Sequence, residues 1–269
     1  MNKLGLIAGN RNFPLLFATC AKSKDPSLEI IAVAIKGETS KNLSRLVDKI
    51  YWLKIGGLRA LCDVFLKEGV KTLVMAGQIS PYRIFKDRQD WDSLMQKVFK
   101  STPDFRPHSI FTEIIREIES QGFSFISSLT YLEDYLAKDG LNNKADVSES
   151  LEKEIEHALS LARKTADLDI GQTVVIKDKA VVAVEALEGT DKTIHRAFGI
   201  CGQGFIVLKL AKKNQDLRFD VPVIGLNTIK QLVRFKAKAL VLEKNKTLIL
   251  DKPEVISLAD KAGLPIVGV

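Results

Sequence analysis

The stretch KLGLIAGNRNFP, Lys3 to Pro14, decides how the first half of the chain is read. Six residues of strand character, Lys3–Ala8, run into a turn that opens at Gly9, and LLFATCAKSK then continues as a helix. A buried strand, a glycine turn and a helix N-terminus in that order are the opening unit of a parallel α/β sheet. Backbone amides at such a turn can hold a phosphate or a nucleotide. The same glycine is equally explained by tight turn geometry, and the spacing departs from GxGxxG, because Asn10, Arg11 and Asn12 follow Gly9.

The pattern repeats outward from this unit. LEIIAVAI is a second buried-type strand rich in branched residues, and KIYWLKI is a third. GGLRALCDVFLKEG places Leu58, Leu61, Cys62, Phe65 and Leu66 at helical spacing, with Gly69 as its C-terminal cap. KTLVMAG is a fourth strand, ending at Gly77 and Gln78. Residues 80–136 read as further helical material, including the amphipathic IFTEIIREIESQG and the strand-like FSFISS. The expected first domain is a Rossmann-like parallel sheet over residues 1–137.

KDGLNNKADVSES, Lys138–Ser150, is polar and turn-forming and reads as a linker, with Ser148 or Ser150 placed to cap the helix that follows. Residues 151–269 read as a second α/β domain of less regular alternation. QTVVIKDKAVVAVEA reads as two strands about a Lys-Asp-Lys turn, and ALVLEKNKTLILD as a strand pair with EKNK as its turn. GFIVLKLA, FDVPVIG and LPIVGV are further strands, and NTIKQLVRFKA and PEVISLADKAG are helices.

Composition narrows the class. Of 269 residues, 46% are hydrophobic and 27% charged, an ordinary globular balance. No apolar run approaches the roughly 18–20 residues of a membrane span, and MNKLGLIAGN reaches glycine and asparagine too soon for a signal peptide. A soluble cytoplasmic protein is the expectation. Cys20, Cys62 and Cys201 are far apart and form no CxxC, which argues against disulfide frameworks and zinc sites. The net charge of +7 favours an anionic partner, but no basic tract interleaved with aromatics points to nucleic acid.

Chemistry-bearing residues gather in a few stretches. LDIGQTVVI contributes Asp169 and Gln172. VEALEGTDKTIHR crowds Glu185, Glu188, Gly189, Thr190 and Asp191 together, a loop that can bind a metal, position water or cap a helix. His195 reads as structural. KLAKKNQDLRFDVPVIGLNT sets Lys209, Lys212, Lys213, Gln215 and Arg218 beside Asp220 and ends at Thr228. Phosphoryl chemistry needs that combination: cations to neutralise phosphate, and a carboxylate to hold Mg²⁺ or activate water.

The ordered set KLGLIAGNRNFP, MAGQIS, DIGQTVVI, EALEGTD, RFDVPVIGLNT and LPIVGV resembles the LpxI-type UDP-2,3-diacylglucosamine pyrophosphatases of lipid A biosynthesis across essentially the whole chain. The resemblance implies a hydrolase that splits the pyrophosphate of UDP-2,3-diacylglucosamine into UMP and 2,3-diacylglucosamine 1-phosphate. It also implies a cytoplasmic protein peripheral to the inner membrane, Mg²⁺ as cofactor, a homodimer, and a ligand cleft between a Rossmann-like and a family-specific α/β domain. Asp220 falls on the family's essential aspartate and is the candidate catalytic residue and metal ligand. Gln172, Thr190, Asp191, Gly9 and Gly77 fall on its other motifs. With neighbours in the same stretches, the expected substrate-binding positions are Gly9, Asn10, Gly77, Gln78, Gln172, Glu188, Gly189, Thr190, Asp191, Lys209, Lys212, Gln215 and Thr228. The first loop here is Gly-Asn-Arg-Asn, where the family's is often a run of glycines. Two other classes compete: a nucleotide-dependent oxidoreductase or nucleotide-sugar enzyme using the first turn, and a non-enzymatic protein for anionic lipid.

Overall fold

Strands that are apolar along their whole length must be covered on both faces, and this governs the first unit of the structure. In the computed structural model, which describes residues 2–79, 88–104, 106–168, 170–213 and 215–269, β1 (Lys3–Ala8) and β2 (Glu29–Ile35) are buried at every position after the first. They join β3 (Lys49–Leu53), β4 (Thr72–Ala76) and the two-residue β5 (Ser124–Phe125) in a five-stranded sheet of order β3-β2-β1-β4-β5. Every pairing in this sheet is parallel. Helices α1 (Phe13–Lys24), α2 (Leu58–Lys67), α3 (Ser93–Ser101) and α4 (Pro107–Ser120) accompany it. The α2 stripe Leu58, Leu61, Cys62 and Phe65 packs with Ile110, Ile114 and Ile118 of α4 against Ile7, Ile31, Val33, Ile35 and Leu73 of the sheet. The parallel, Rossmann-like order expected from the alternation is present.

Strand order reverses between β1 and β4, the point at which open α/β sheets bind ligands. The turns after these two strands touch through their backbones. Gly9 N–H donates to the Ala76 carbonyl at 2.8 Å, and Asn10 N–H to the Gln78 carbonyl at 2.8 Å. A Cβ on Gly9 would lie 2.5 Å from the Gln78 oxygen, and one on Gly77, whose φ is +87°, would lie 2.6 Å from the Asn10 oxygen. Both glycines are therefore required by close backbone approach.

The chain divides into two compact units, Met1–Leu132 with Leu217–Asp220, and Glu133–Asp216 with Val221–Val269. In the second, a six-stranded mixed sheet has the order β6-β13-β11-β9-β7-β8. Its strands are β6 (Gly140–Leu141), β7 (Thr173–Lys177), β8 (Ala180–Val184), β9 (Ile206–Lys209), β11 (Ala239–Leu242) and β13 (Ile266–Gly268). The parallel strands β9, β11 and β13 form its centre. Helix α5 (Glu149–Asp167) covers one face through Ile155, Ala158, Ala162 and Ala166. Helices α6 (Thr190–Cys201), α7 (Leu226–Arg234) and α8 (Lys252–Ala262) pack with Val175, Val207, Leu240 and Ile266 in a separate core. Ser148 caps α5, its hydroxyl accepting the Leu151 N–H at 3.3 Å.

Three readings of the second half are corrected. Residues 138–150 are not simply a linker, since β6 pairs antiparallel with β13, and Asn143 donates to Asp260 and the Leu264 carbonyl. The EKNK segment does not close a hairpin. β11 is fully buried between β9 and β13 and offers no free edge, so β12 (Leu248–Ile249) pairs instead with β10 (Val223–Ile224) in a separate two-stranded sheet. FDVPVIG is a strand only at Val223–Ile224, while 217–219 form a turn. Pro222 has no N–H for a ladder. Ser80 and Asp169 lie outside the described residues.

Gly9→Ala should lower the unfolding free energy by about 1–3 kcal/mol, the scale of overpacking against an unyielding neighbour. Gly199→Ala, whose Cβ would meet nothing within 4 Å, should instead raise it by about 0.5–1 kcal/mol as a helix-interior glycine is removed. Urea unfolding of the two variants checks both. A Gly9→Ala midpoint equal to wild type would contradict the close packing of the two turns.

Candidate active site

Register places the central contact of the second unit. On antiparallel neighbours β7 and β9, Thr173 stands directly opposite Lys209. Both are buried, Lys209 being 5% exposed. A buried ammonium requires partners, and Lys209 has three. Its Nζ donates to Thr190 Oγ1 at 2.8 Å and to Thr173 Oγ1 at 3.3 Å, and it lies 3.7 Å from Glu185 Oε2. Thr190 in turn donates to Glu185 at 3.2 Å. Lys209, Thr190 and Glu185 thus form one polar chain inside the fold.

This chain fixes the N-terminus of α6. Thr190 is the first residue of α6, and the preceding Gly189 has φ +84° and ψ 163°, a conformation that strains residues with a Cβ. Asp191, the next residue, accepts a hydrogen bond from Thr228 Oγ1 at 2.9 Å. Thr228 lies in the first turn of α7, so two helix N-termini are tied together. Neither start carries a side-chain cap, and uncapped first-turn amides favour anions. Gly171 keeps the DIGQ stretch close to this loop, because a Cβ there would lie 1.9 Å from the Glu185 carbonyl oxygen. Gln172 itself accepts the Leu210 N–H through its carbonyl at 2.9 Å.

Glu188 braces the same loop. Its Oε1 accepts from Arg196 Nη2 at 2.5 Å and from Thr193 Oγ1 at 3.3 Å, and its Oε2 accepts the Ala186 N–H at 3.1 Å. The hydrogen bond from Arg196 is the largest influence holding its pKa down to about 2. Lys212 is half-buried, and its N–H donates to Gln215 Oε1 at 2.7 Å within a local turn. Lys213 is exposed. His195 stacks on Phe235, with ring centroids 5.7 Å apart.

Asp220 is supported elsewhere. It ends the four-residue segment that clusters with the first unit. Ser128 N–H donates to the Leu217 carbonyl at 2.8 Å, and Ser128 Oγ donates to the Arg218 carbonyl at 2.7 Å. Arg218 pairs with Glu119 at 3.0 Å, and the Phe219 ring stacks on Phe111 at 5.7 Å. Asp220 is half-buried. Among the described residues, no group of three or more His, Cys, Asp or Glu side chains is placed to hold a metal ion.

The first unit also carries the paired turns of Gly9 and Gly77, with Gln78 exposed. Asn10 Nδ2 donates to Glu38 Oε2 at 2.8 Å, while Asn10 Oδ1 is buried with no hydrogen-bond partner among the described residues. Arg11 has φ +63°, a left-handed conformation that glycine takes without strain. Glu38 lies in the turn just after β2. Thr173 gave no signal beyond opening a strand.

These features define an α/β protein with a Rossmann-order sheet in one unit and a buried polar cluster at two helix N-termini in the other. Residues 3–135 match the LpxI N-terminal domain and residues 138–267 the LpxI C-terminal domain. The chain belongs to the LpxI family. It is 27% identical over 285 residues to the UDP-2,3-diacylglucosamine pyrophosphatase LpxI of Caulobacter vibrioides, covering 100% of this chain and 98% of that protein. Among solved structures, the biotin carboxylase domain of Hydrogenobacter thermophilus 2-oxoglutarate carboxylase matches at TM-score 0.30 and 10% identity, over 74% of this chain and 41% of that one. UDP-glucose 4-epimerase from Bifidobacterium longum matches at TM-score 0.28 and 11% identity, over 62% and 50%. Likeness this partial carries no functional argument.

Because Glu188 has a lowered folded-state pKa, its contribution to stability is present above its ordinary pKa near 4.5 and is lost as pH falls through about 2. Arg196→Ala removes that contribution. The stability gap between wild type and Arg196→Ala should be full above pH ~4.5 and close as pH approaches ~2. Denaturation measured across that range checks this, and a gap independent of pH would contradict the pairing.

Proposed function

We propose that this protein hydrolyses the pyrophosphate of UDP-2,3-diacylglucosamine, releasing UMP and 2,3-diacylglucosamine 1-phosphate. The observation that carries this reading is similarity to the Caulobacter pyrophosphatase along both chains' full length. The geometry supports it locally. A pyrophosphate needs charge neutralisation and an activated water. The uncapped starts of α6 and α7, fixed by Lys209–Thr190–Glu185 and Thr228–Asp191, suit a phosphate. On this reading Lys209 acts by positioning Thr190, because its ammonium is committed to internal partners. Asn10 Oδ1, with no partner among the described residues, sits beside the turns of Gly9 and Gly77 and suits a ligand that donates a hydrogen bond, as uracil and ribose do.

Asp220 supplies the carboxylate, its oxygens suited to take a proton from the attacking water or to hold Mg²⁺. Mg²⁺ commonly uses one or two carboxylates together with substrate phosphates and water, so a lone aspartate fits that role without a dedicated cage. When bound, the ion would neutralise charge on the phosphate oxygens.

A lipid substrate brings the protein to a membrane surface, which its net charge of +7 favours. Among the described residues no helix is long and apolar enough to cross the bilayer. A homodimer is part of the same proposal.

Incubation with UDP-2,3-diacylglucosamine and Mg²⁺ should yield UMP and the 1-phosphate in equal amounts, separable by chromatography. Chelation by EDTA should abolish the products and added Mg²⁺ restore them. No UMP under any divalent cation would overturn the reading, and full turnover in EDTA would remove Mg²⁺ from it.

A further inference from the structure

The first unit holds an apolar cavity of about 60 Å³ that the site described above does not use. Its walls include Ile7, Ile35 and Met75 from the sheet, Leu61 from α2 and Ile114 from α4. Ile7, Ile35 and Met75 each sit at or next to the last residue of their strand, the same end of the sheet as the turns of Gly9 and Gly77. Among the described residues, Lys54, exposed, is the only charged one lining the pocket. A half-open pocket with apolar walls exposes hydrocarbon to water, and filling it with apolar groups is favourable. The walls are predominantly hydrocarbon and suit an apolar group better than a base or a sugar.

A second observation links the cavity to the proposed chemistry. Phe111 lines it, and the ring of Phe219 stacks on Phe111 at 5.7 Å with an interplanar angle of 23°. Asp220 follows Phe219 directly. The residue proposed for hydrolysis therefore directly follows a ring that packs on a wall residue of the apolar pocket, within a single unit. In the proposed substrate, acylated position 2 adjoins the carbon that bears the pyrophosphate, and acylated position 3 is one carbon further. A sugar phosphate held at Asp220 has its acyl chains starting a few bonds away.

We infer that this cavity receives methylene groups of an acyl chain of the substrate. The first unit, and not the second alone, then supplies lipid specificity. Met75 and Met95, both lining it, have unbranched side chains that can repack to lengthen the slot as a chain enters. The inference rests on the proposed reading of the substrate.

The test is calorimetric binding of the product class, 2,3-diacylglucosamine 1-phosphate, with tetradecanoyl or butanoyl chains, to wild type and to Ile114→Phe. Wild type should prefer the long-chain compound. Filling the slot with phenylalanine should reduce that preference about tenfold or more, because each buried methylene contributes about a fourfold factor. Ile114→Ala, which enlarges the cavity, serves if the phenylalanine variant does not fold, and should shift preference toward longer chains. An unchanged chain-length preference in either folded variant would overturn the inference. Because the readout is binding, it is separate from turnover. A wild type that releases no UMP, together with an Ile114→Phe variant that loses the chain preference, would sink the pyrophosphatase reading and leave the acyl slot standing.

Discussion

The position of Asp220 depends on how four residues are held. Leu217–Asp220 cluster with the first unit, although the chain on either side belongs to the second. What holds them is a pair of hydrogen bonds from Ser128 to consecutive carbonyls, an ion pair from Arg218 to Glu119, and the Phe219 ring against Phe111. Exposed ion pairs contribute little. The half-buried aromatic contact and the two satisfied carbonyls carry most of the anchoring. The aspartate is thus presented by a clamped turn, and the following Pro222 prevents that turn from continuing backward as strand.

The second unit solves a different problem. Burying Lys209 is unfavourable unless its charge is compensated. Glu185 and two threonine hydroxyls compensate it, and the arrangement freezes Thr190 at the start of α6. The same side chains that neutralise the buried lysine therefore preorganise a helix N-terminus. Preorganised donors are what phosphoryl transfer draws on, since they need not reorient as charge develops.

Much of the first unit was legible because β1 and β2 are apolar without interruption and the glycine turns fall at strand ends. That pattern has few solutions other than a covered parallel sheet. The motif stretches DIGQ, EGTD and GLNT were visible, but their convergence was not. Thr173 and Lys209 are 36 residues apart, and only the β7–β9 register sets them opposite each other. The EKNK segment misled because a local turn signal says nothing about whether a neighbouring sheet edge is free, and β11 has both neighbours already. Residues 138–150 misled in a similar way. Their polarity serves hydrogen bonds such as those of Asn143 to Asp260 and Leu264, which composition cannot separate from solvation.

The central claim is that the clamped aspartate is the group the hydrolysis requires. Single-turnover release of UMP from UDP-2,3-diacylglucosamine by Asp220→Asn tests it most directly, because the amide keeps the side chain's shape and removes its charge and basicity. The account predicts UMP release at least about a thousandfold slower, roughly 4 kcal/mol in barrier, with substrate affinity within a few-fold of wild type. Release at the wild-type rate would contradict it.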